Sequence, residues 1–333
     1  MKPSISCAIV GAGMTGLMAA RELQSHGIKV IVIDKGRSVG GRMATRWIEI
    51  EGNEKGFFDH GAQFFTVRDP WFQSFVDEWI SAGLVREWAR GFAQGDDLPH
   101  HDGHPRYCGT AGMNAIARHL ATGLDVRVNT KVESLTRQAE QWSLALESGA
   151  AIQADALLLT PPVPQSLALL NAGDCSLPDG ARHALERITY DSCFAVMAVL
   201  DAPARLPEPG ALQLQQEPIA WIADNHRKGI SPDAFTVTIH AGPDFTREHW
   251  EADHETVARK LLHAAGEWVR APVKSWQVHR WRYSQPRLTH PEPCLFVNDA
   301  APLIFAGDAF GAPRVEGAAL SGLAAAAALL KRV

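Results

Sequence analysis

The first forty residues constrain the fold more than any other stretch. Residues 5–10, Ile-Ser-Cys-Ala-Ile-Val, form a short apolar run rich in branched side chains, and Gly11-Ala12-Gly13-Met14-Thr15-Gly16 follows at once. Leu17–Leu23 reads as a helix, Lys29–Ile33 as a second apolar strand, and Asp34 closes it. Strand, glycine turn, helix, strand and acid in this order describe a dinucleotide-binding unit. Gly11 permits the tight turn, Gly13 lets the backbone approach a pyrophosphate, and Gly16 lets the helix pack on the strand. The amides at the helix start, those of Met14, Thr15 and Gly16, act with the helix dipole to favour a phosphate there. Asp34 lies 18 residues past Gly16, where a carboxylate accepts hydrogen bonds from a ribose. A lone GxGxxG also marks ordinary turns. Here the flanking strands, helix and acid are all present.

The residues after Asp34 narrow the ligand. Lys35-Gly36-Arg37-Ser38-Val39-Gly40-Gly41-Arg42 sets a glycine pair before an arginine. That suits a second backbone approach to a pyrophosphate, with a guanidinium as counter-charge. A simple NAD domain does not require it. The segment resembles the GGR element of the two-domain flavin oxidases, the group that includes monoamine oxidase. The resemblance implies FAD, with Lys35, Gly41 and Arg42 beside it.

Length and charge bound the rest. A chain of 333 residues suggests two domains, or one domain with a large insertion. A formal net charge of −5 argues against a broad nucleic-acid surface. Cys7, Cys108, Cys175, Cys193 and Cys294 are odd in number, widely spread and without a CxxC pair, which suits reduced, mostly buried thiols in a cytoplasmic protein. The first apolar run is too short for a secretion signal. The alanine-rich stretch 317–330 is too short to span a membrane and reads as a helix packed on the sheet.

Further along, Asp59-His60-Gly61-Ala62-Gln63-Phe64-Phe65 resembles a segment of the renalases, a branch of those flavin oxidases, in which it lies close to the flavin. By that resemblance Gln63 is a cofactor residue, and Phe64 and Phe65 are substrate residues, although either ring could be plain core packing. Residues 71–82 carry apolar side chains at 71, 72, 75, 76, 79 and 80, a helical stripe. His100, His101 and His104, with Asp96, Asp97 or Asp102, form a polar loop that lacks the ligand spacing of a metal site, and no metal is expected. Residues 107–123 read as a turn and a helix whose G-x-x-G-M-x-x-I pattern again resembles renalases. Val126–Leu135 reads as paired strands. In the resembled family the residue matching Val132 holds adenine through its backbone. Trp142–Leu146 and Ala151–Ala154 read as a hairpin, and Ala156–Thr160 as a buried strand stopped by Pro161-Pro162, where the first domain hands over to the second.

Residues 163–290 hold strand-like runs at 193–200, 219–223, 235–240 and 276–283, and helix candidates at 179–188 and 255–270. The alternation suits an antiparallel sheet with one face towards a ligand. Asp224–Lys228, Thr238–His240 and His279–Gln285 resemble renalase segments. His240, Trp281 and Tyr283 are candidate walls of a substrate cavity, or satisfied core residues of the sheet. Asn225, Arg227, Lys228 and Arg280 are candidates for the polar part of a nucleotide, though such side chains more often face solvent. At the C-terminus Leu303–Ala306 reads as a strand, Gly307-Asp308 as a turn, and Arg314–Gly322 as the start of a small-residue helix. Asp308 can accept a ribityl hydroxyl, and the amides around Val315 and Gly317 can face the pyrimidine edge of a flavin. No cysteine stands in that turn or helix, so non-covalent FAD is expected.

The fold class expected is α/β, the two-domain flavoprotein oxidase fold: a Rossmann-like FAD domain over 1–60, 107–163 and 291–333, with an inserted antiparallel-sheet substrate domain over 61–106 and 164–290. The renalase resemblance implies oxidation of the 2- and 6-dihydro isomers of NAD(P)H to NAD(P)+, by hydride transfer to flavin N5, with O2 becoming H2O2. An electron-rich dihydropyridine needs no strong general base, so no catalytic acid or base is assigned. An oxidase of a small amine and a FAD-binding redox sensor without turnover stay open. A flavin-free NAD(P)-dependent dehydrogenase would be excluded by a yellow protein. The partners expected are a small-molecule substrate and O2, with no nucleic acid and no membrane, in a monomer or homodimer.

Overall fold

A computed structural model describes residues 5–50, 54–95, 102–214, 216–298 and 300–332. The chain forms two compact units, one from Met1–Gly41, Ala117–Tyr190 and Pro286–Val333, the other from Arg42–Ile116 and Asp191–Gln285.

The first unit is built on a six-stranded sheet in the order Leu295–Asn298, Leu303–Phe305, Ala156–Leu159, Ser6–Val10, Lys29–Ile33, Asp125–Arg127. All neighbours pair in parallel except the edge pair Leu295–Asn298 with Leu303–Phe305. Parallel strands are covered on both faces and therefore read as continuous apolar runs, which is why Cys7, Ala8 and Ile9 are all fully buried. Ala8, Val10, Leu157, Leu159, Leu303 and Phe305 share one core with Leu135, Trp142 and Leu144. Those last three belong to a three-stranded antiparallel sheet, Val132–Gln138, Gln141–Leu146 and Ala151–Ala154. Helix Met14–Ser25 packs against helix Arg314–Leu330 at close range: a Cβ on Gly322 would stand 2.3 Å from the Thr15 carbonyl oxygen.

The second unit holds a five-stranded sheet ordered Ala211–Gln213, Ile219–Asp224, Thr236–Ala241, Thr189–Leu200, Val273–Leu288. Its strands alternate. Ile222, Val237, Ile239, Phe194, Val196 and Val278 face helix His254–Val269, whose Val257, Leu261 and Ala265 complete that core. Asp253 caps this helix, accepting from the Thr256 amide at 2.8 Å. The opposite face carries Met197 and Val199, covered by Ile48 and Phe58 of the hairpin Thr45–Glu49 with Lys55–Asp59. Helix Pro70–Ser81 begins at Asp69, which accepts from the Trp71 and Phe72 amides, and it buries Phe72, Val76 and Trp79.

Several boundaries move relative to the sequence reading. Residues 42–60 and 107–116 cluster with the second unit, because the hairpin packs on the antiparallel sheet and Thr236 Oγ1 donates to the Phe57 carbonyl at 3.0 Å. Residues 164–190 cluster with the first unit, because Leu170, Leu177 and Leu185 join its core. Pro161-Pro162 does not end the local order. Helix Val163–Ala172 starts there with a proline in its first turn, a position where the missing amide costs nothing.

Candidate functional site

In the first unit the sheet order reverses between Ser6–Val10 and Ala156–Leu159, and the glycine turn sits at the carboxyl end of Ser6–Val10. Gly11 has φ +106°, and a Cβ there would lie 2.3 Å from Thr160 Oγ1. A Cβ on Gly16 would lie 2.0 Å from the Gly11 carbonyl oxygen and 3.3 Å from Ile9 Cγ2. Gly13 is different: nothing lies within 4 Å of where its Cβ would be. It is also the cap of helix Met14–Ser25 and provides no side-chain partner for the first amides. The glycine pair docks against this turn, with the Gly40 amide donating to the Ala12 carbonyl at 2.8 Å. Asp34 Oδ2 accepts from the Ala12 amide at 2.7 Å and Oδ1 from the Gly36 amide at 2.6 Å. A carboxylate has about four acceptor positions, so capacity remains for ribose hydroxyls. Bare backbone, open space at Gly13 and an anchored carboxylate fit a dinucleotide.

The other candidates of this unit are placed as follows. Met14 and Thr15 are buried, and Thr15 Oγ1 donates to the Ala318 carbonyl at 2.8 Å, so Thr15 offers its amide and not its hydroxyl. Lys35 is exposed with its amine on Gln165 at 3.3 Å. Val132 puts its side chain into the core, and the chain just before it runs beside Asp34, the Thr130 amide donating to the Asp34 carbonyl at 2.9 Å. Asp308 is half-buried after strand Leu303–Phe305, where the Gly307 amide donates to Ser321 Oγ at 2.8 Å. Helix Arg314–Leu330 opens with Val315 and Gly317 in its first turn and no side-chain cap on its amides.

In the second unit a different set assembles. Trp221 pairs across strands with His240, which puts both on the face opposite the helix-covered core. Strand alternation adds His279, Trp281 and Tyr283, since Val278 points into that core and Arg280 and Arg282 lie over the Phe194 and Trp250 rings at 5.7 and 5.6 Å. The loop 59–64 lies on this face. Trp281 stacks on His60 at 5.2 Å and donates from Nε1 to the His60 carbonyl at 2.8 Å, and His240 Nε2 contacts the same oxygen at 3.2 Å. His279 meets Trp281 edge-on at 4.2 Å. Phe64 packs with Phe92 and Trp221 at 5.0 and 5.5 Å. Burial lowers the His60 pKa to about 3, with His279 and Arg46 adding to the fall. Burial likewise lowers His240 and His279 to about 4. The three histidines of this aromatic face are therefore neutral at pH 7, with the Arg46 guanidinium near enough to His60 and His279 to lower both.

Beneath it lies a fully buried ion pair. Lys228 Nζ donates to Asp59 Oδ2 at 2.7 Å and to the Gln63 carbonyl at 2.6 Å, and lies 4.8 Å from the Trp88 ring. Asp59 Oδ1 accepts from Thr45 Oγ1 at 2.6 Å and the Met113 amide at 2.9 Å. Gln63 folds its carboxamide inward onto the Asp59 and Gly61 carbonyls.

Some sequence-derived candidates stand elsewhere. Phe65 points away from Phe64, because successive side chains alternate; it is buried against Phe72 and Tyr107 and belongs to the scaffold. Asn225 is fully buried, donating to Thr238 Oγ1 at 3.1 Å and accepting from the Asp59 amide at 3.4 Å. Arg227 pairs with Glu208, Lys228 is buried, and Arg280 reaches the Ala252 carbonyl on the opposite face. The quartet suggested for a nucleotide is thus used within the protein. Arg42 reaches the Tyr283 and Ser284 carbonyls at 3.4 Å. Trp221, Phe92, His60 and His279 were not named as site residues; His60 and His279 lie in segments that resemble renalases, and the strand alternation around Trp221, paired with His240, carried a signal for that residue. Among the described residues no group of three metal-ligating side chains forms. His100 and His101 lie outside the described residues, and Asp102 is held by Arg106 well below the usual carboxylate range. Burial pushes the Cys7 and Cys193 thiols up to about 12.

Comparison with known proteins bears on this geometry. The profile of the flavin containing amine oxidoreductases matches residues 78–330, and that of the NAD(P)-binding Rossmann-like domains matches residues 9–79. Renalase from Mus musculus is 24% identical over 293 residues, covering 83% of this chain and 84% of that protein. Among solved structures, putrescine oxidase superposes with a TM-score of 0.71 at 16% identity, covering 98% of this chain and 99% of that one. A fatty acid isomerase from P. acnes superposes at 0.69 and 13% identity, covering 99% of both. Oxidase and isomerase on one fold show that these two likenesses carry architecture alone. Among the described residues no helix is long and apolar enough to cross a membrane.

Proposed function

The chain belongs to the flavin containing amine oxidoreductase family, and we propose that its electron donor is a dihydronicotinamide, the 2- or 6-dihydro isomer of NAD(P)H. It is an FAD-dependent oxidase with renalase-like sequence. Bound FAD supplies a hydride acceptor that returns its electrons to oxygen, with H2O2 as the product. The glycine turn, the first amides of helix Met14–Ser25 and Gly41 hold the pyrophosphate; Asp34 takes a ribose; the Val132 backbone takes adenine; Asp308 and the amides of Val315 and Gly317 take the flavin end.

One observation carries the choice of donor. The face built by Phe64, Trp221, His240, His279 and Trp281 is aromatic, and its histidines are neutral at pH 7. It supports a flat, uncharged ring by stacking. Among the described residues this face carries no carboxylate, Asp59 being fully buried against Lys228. An already electron-rich ring needs orientation more than a base, and the rings of this face supply it.

Anaerobic mixing of the purified yellow protein with 6-dihydro-NAD, 2-dihydro-NAD, NADH and a panel of amines tests the proposal at the flavin band. Fast bleaching by a dihydro isomer is the expected result. Bleaching by an amine alone would replace it with amine oxidation, and no bleaching with FAD bound would favour a redox-sensing role. Acid precipitation is expected to leave the yellow colour in the supernatant, as non-covalent FAD requires.

A further inference from the structure

We infer that Lys228 is a positioning residue of the substrate face, acting through the loop Asp59–Gln63. The inference rests on the reading of that face given above.

The loop is the part from which the face hangs. The His60 carbonyl receives Trp281 Nε1 and His240 Nε2, and the His60 ring stacks on Trp281. The Ala62 amide donates to the Arg42 carbonyl at 2.8 Å, and a Cβ on Gly61 would lie 2.0 Å from that same oxygen. Phe64 follows directly and packs on Trp221. A displacement of the loop therefore moves His60, Trp281, His240 and Phe64 together.

Both ends of this loop are held by one ammonium. Lys228 Nζ reaches the Asp59 carboxylate at 2.7 Å and the Gln63 carbonyl at 2.6 Å, and the Trp88 face lies on a third side. Three donors on one compact cation match these three neighbours. The Gln63 carboxamide closes the loop from within, onto the Asp59 and Gly61 carbonyls. Lys228 is itself placed by the turn after strand Ile219–Asp224, where its amide donates to the Asp224 carbonyl at 2.9 Å and its own carbonyl accepts from Arg86. The strand that carries Trp221 thus also fixes the cation that sets the loop facing it. Nothing on Lys228 reaches the open face.

Lys228→Met tests this but leaves the Asp59 charge buried and unpaired, so it is paired with the double variant Asp59→Asn/Lys228→Met, which removes the charge as well as the clamp. The donor is whichever compound bleaches the wild-type flavin, so the choice of donor tests the functional reading and the variant-to-wild-type ratio tests the clamp. In the folded, FAD-loaded double variant kcat/KM is expected to fall by about tenfold to a hundredfold, chiefly in kcat, because misplacement by about 1 Å costs on that scale. Amide hydrogen exchange across residues 60–64 is expected to speed up while exchange in strand Ser6–Val10 stays as it was. Wild-type kinetics and wild-type exchange in the double variant would overturn the inference. So would kinetics lost in Lys228→Met and restored in the double variant, since the pair would then matter only for its charge balance. Should no compound bleach the wild-type protein, the functional reading falls, and the exchange of residues 60–64 decides the clamp without it.

Discussion

In the first unit the proposed cofactor cradle is made of backbone atoms: the turn Gly11–Gly16, the glycine pair docked on it, and amides at two helix starts. In the second unit the proposed substrate face is made of side chains, Phe64, Trp221, His240, His279 and Trp281, drawn from three strands and a loop. The two are held by different physics. A backbone cradle is set by steric exclusion, because only glycine fits where a Cβ would strike a carbonyl oxygen. A side-chain face is set by what stands behind it, here the Lys228–Asp59 pair and the hydrogen bonds to the His60 carbonyl. Substitutions should therefore act abruptly in the first unit and by degrees in the second.

The largest effect expected is at Gly16. A Cβ there stands 2.0 Å from the Gly11 carbonyl, so Gly16→Ala should yield protein that purifies colourless and unfolds at lower denaturant than the wild-type apoprotein. Gly13→Ala sharpens the contrast, since its Cβ enters open space and the backbone, φ −83°, is one alanine adopts readily. Its apoprotein should unfold as the wild type does, while FAD binds at least about tenfold more weakly, about 1.4 kcal/mol. Equal losses of stability in the two variants would break the distinction between packing glycine and ligand glycine.

A smaller pair of effects separates Phe64 from Phe65. Phe65→Ala empties a buried site between Phe72 and Tyr107 and should cost about 3–5 kcal/mol of stability, read from the denaturation midpoint. Phe64→Ala should cost less stability and raise KM about threefold to tenfold, the worth of one aromatic contact of about 0.5–1.5 kcal/mol. The reverse pattern would place the substrate face on the other side of the loop.

The mildest effect is one of pH. His60, His240 and His279 have folded pKa values lowered to about 3, 4 and 4 by burial, below the unfolded value of about 6.5. Below pH 6.5 the unfolded chain binds more protons, so their contribution is complete above that pH and is lost as pH falls towards the folded values. His60 alone should cost on the order of 1 kcal/mol at pH 5.5. His279→Asn should flatten the decline of the denaturation midpoint between pH 7.5 and 5.5. An unchanged slope would mean that His279 takes up its proton over the same pH range in the folded and unfolded protein.

How far the sequence could be read follows the same division. Gly11, Gly13, Gly16, Asp34 and the pair before Arg42 have signatures fixed by spacing, because a backbone cradle needs particular residue types at particular intervals. Helices Pro70–Ser81 and His254–Val269 were legible from their apolar periods. Asn225, Arg227, Lys228 and Arg280 were not legible: a polar side chain far along a chain has no local mark that tells a solvated position from a buried one. Phe64 and Phe65 looked alike as neighbours, and only the docking of loop 59–65 sent one to the face and the other to the core.

The sequence by itself therefore determined the nucleotide half, since its strand, turn, helix and acid are contiguous and each residue's role is steric and local. Tertiary structure alone decided the other half. It paired Trp221 with His240 across two strands, laid His60 over Trp281 from 221 positions away, and buried Lys228 against Asp59 across a separation of 169. Such contacts depend on strand register and on the desolvation of charge. Both are properties of the packed whole, which no stretch of sequence specifies on its own.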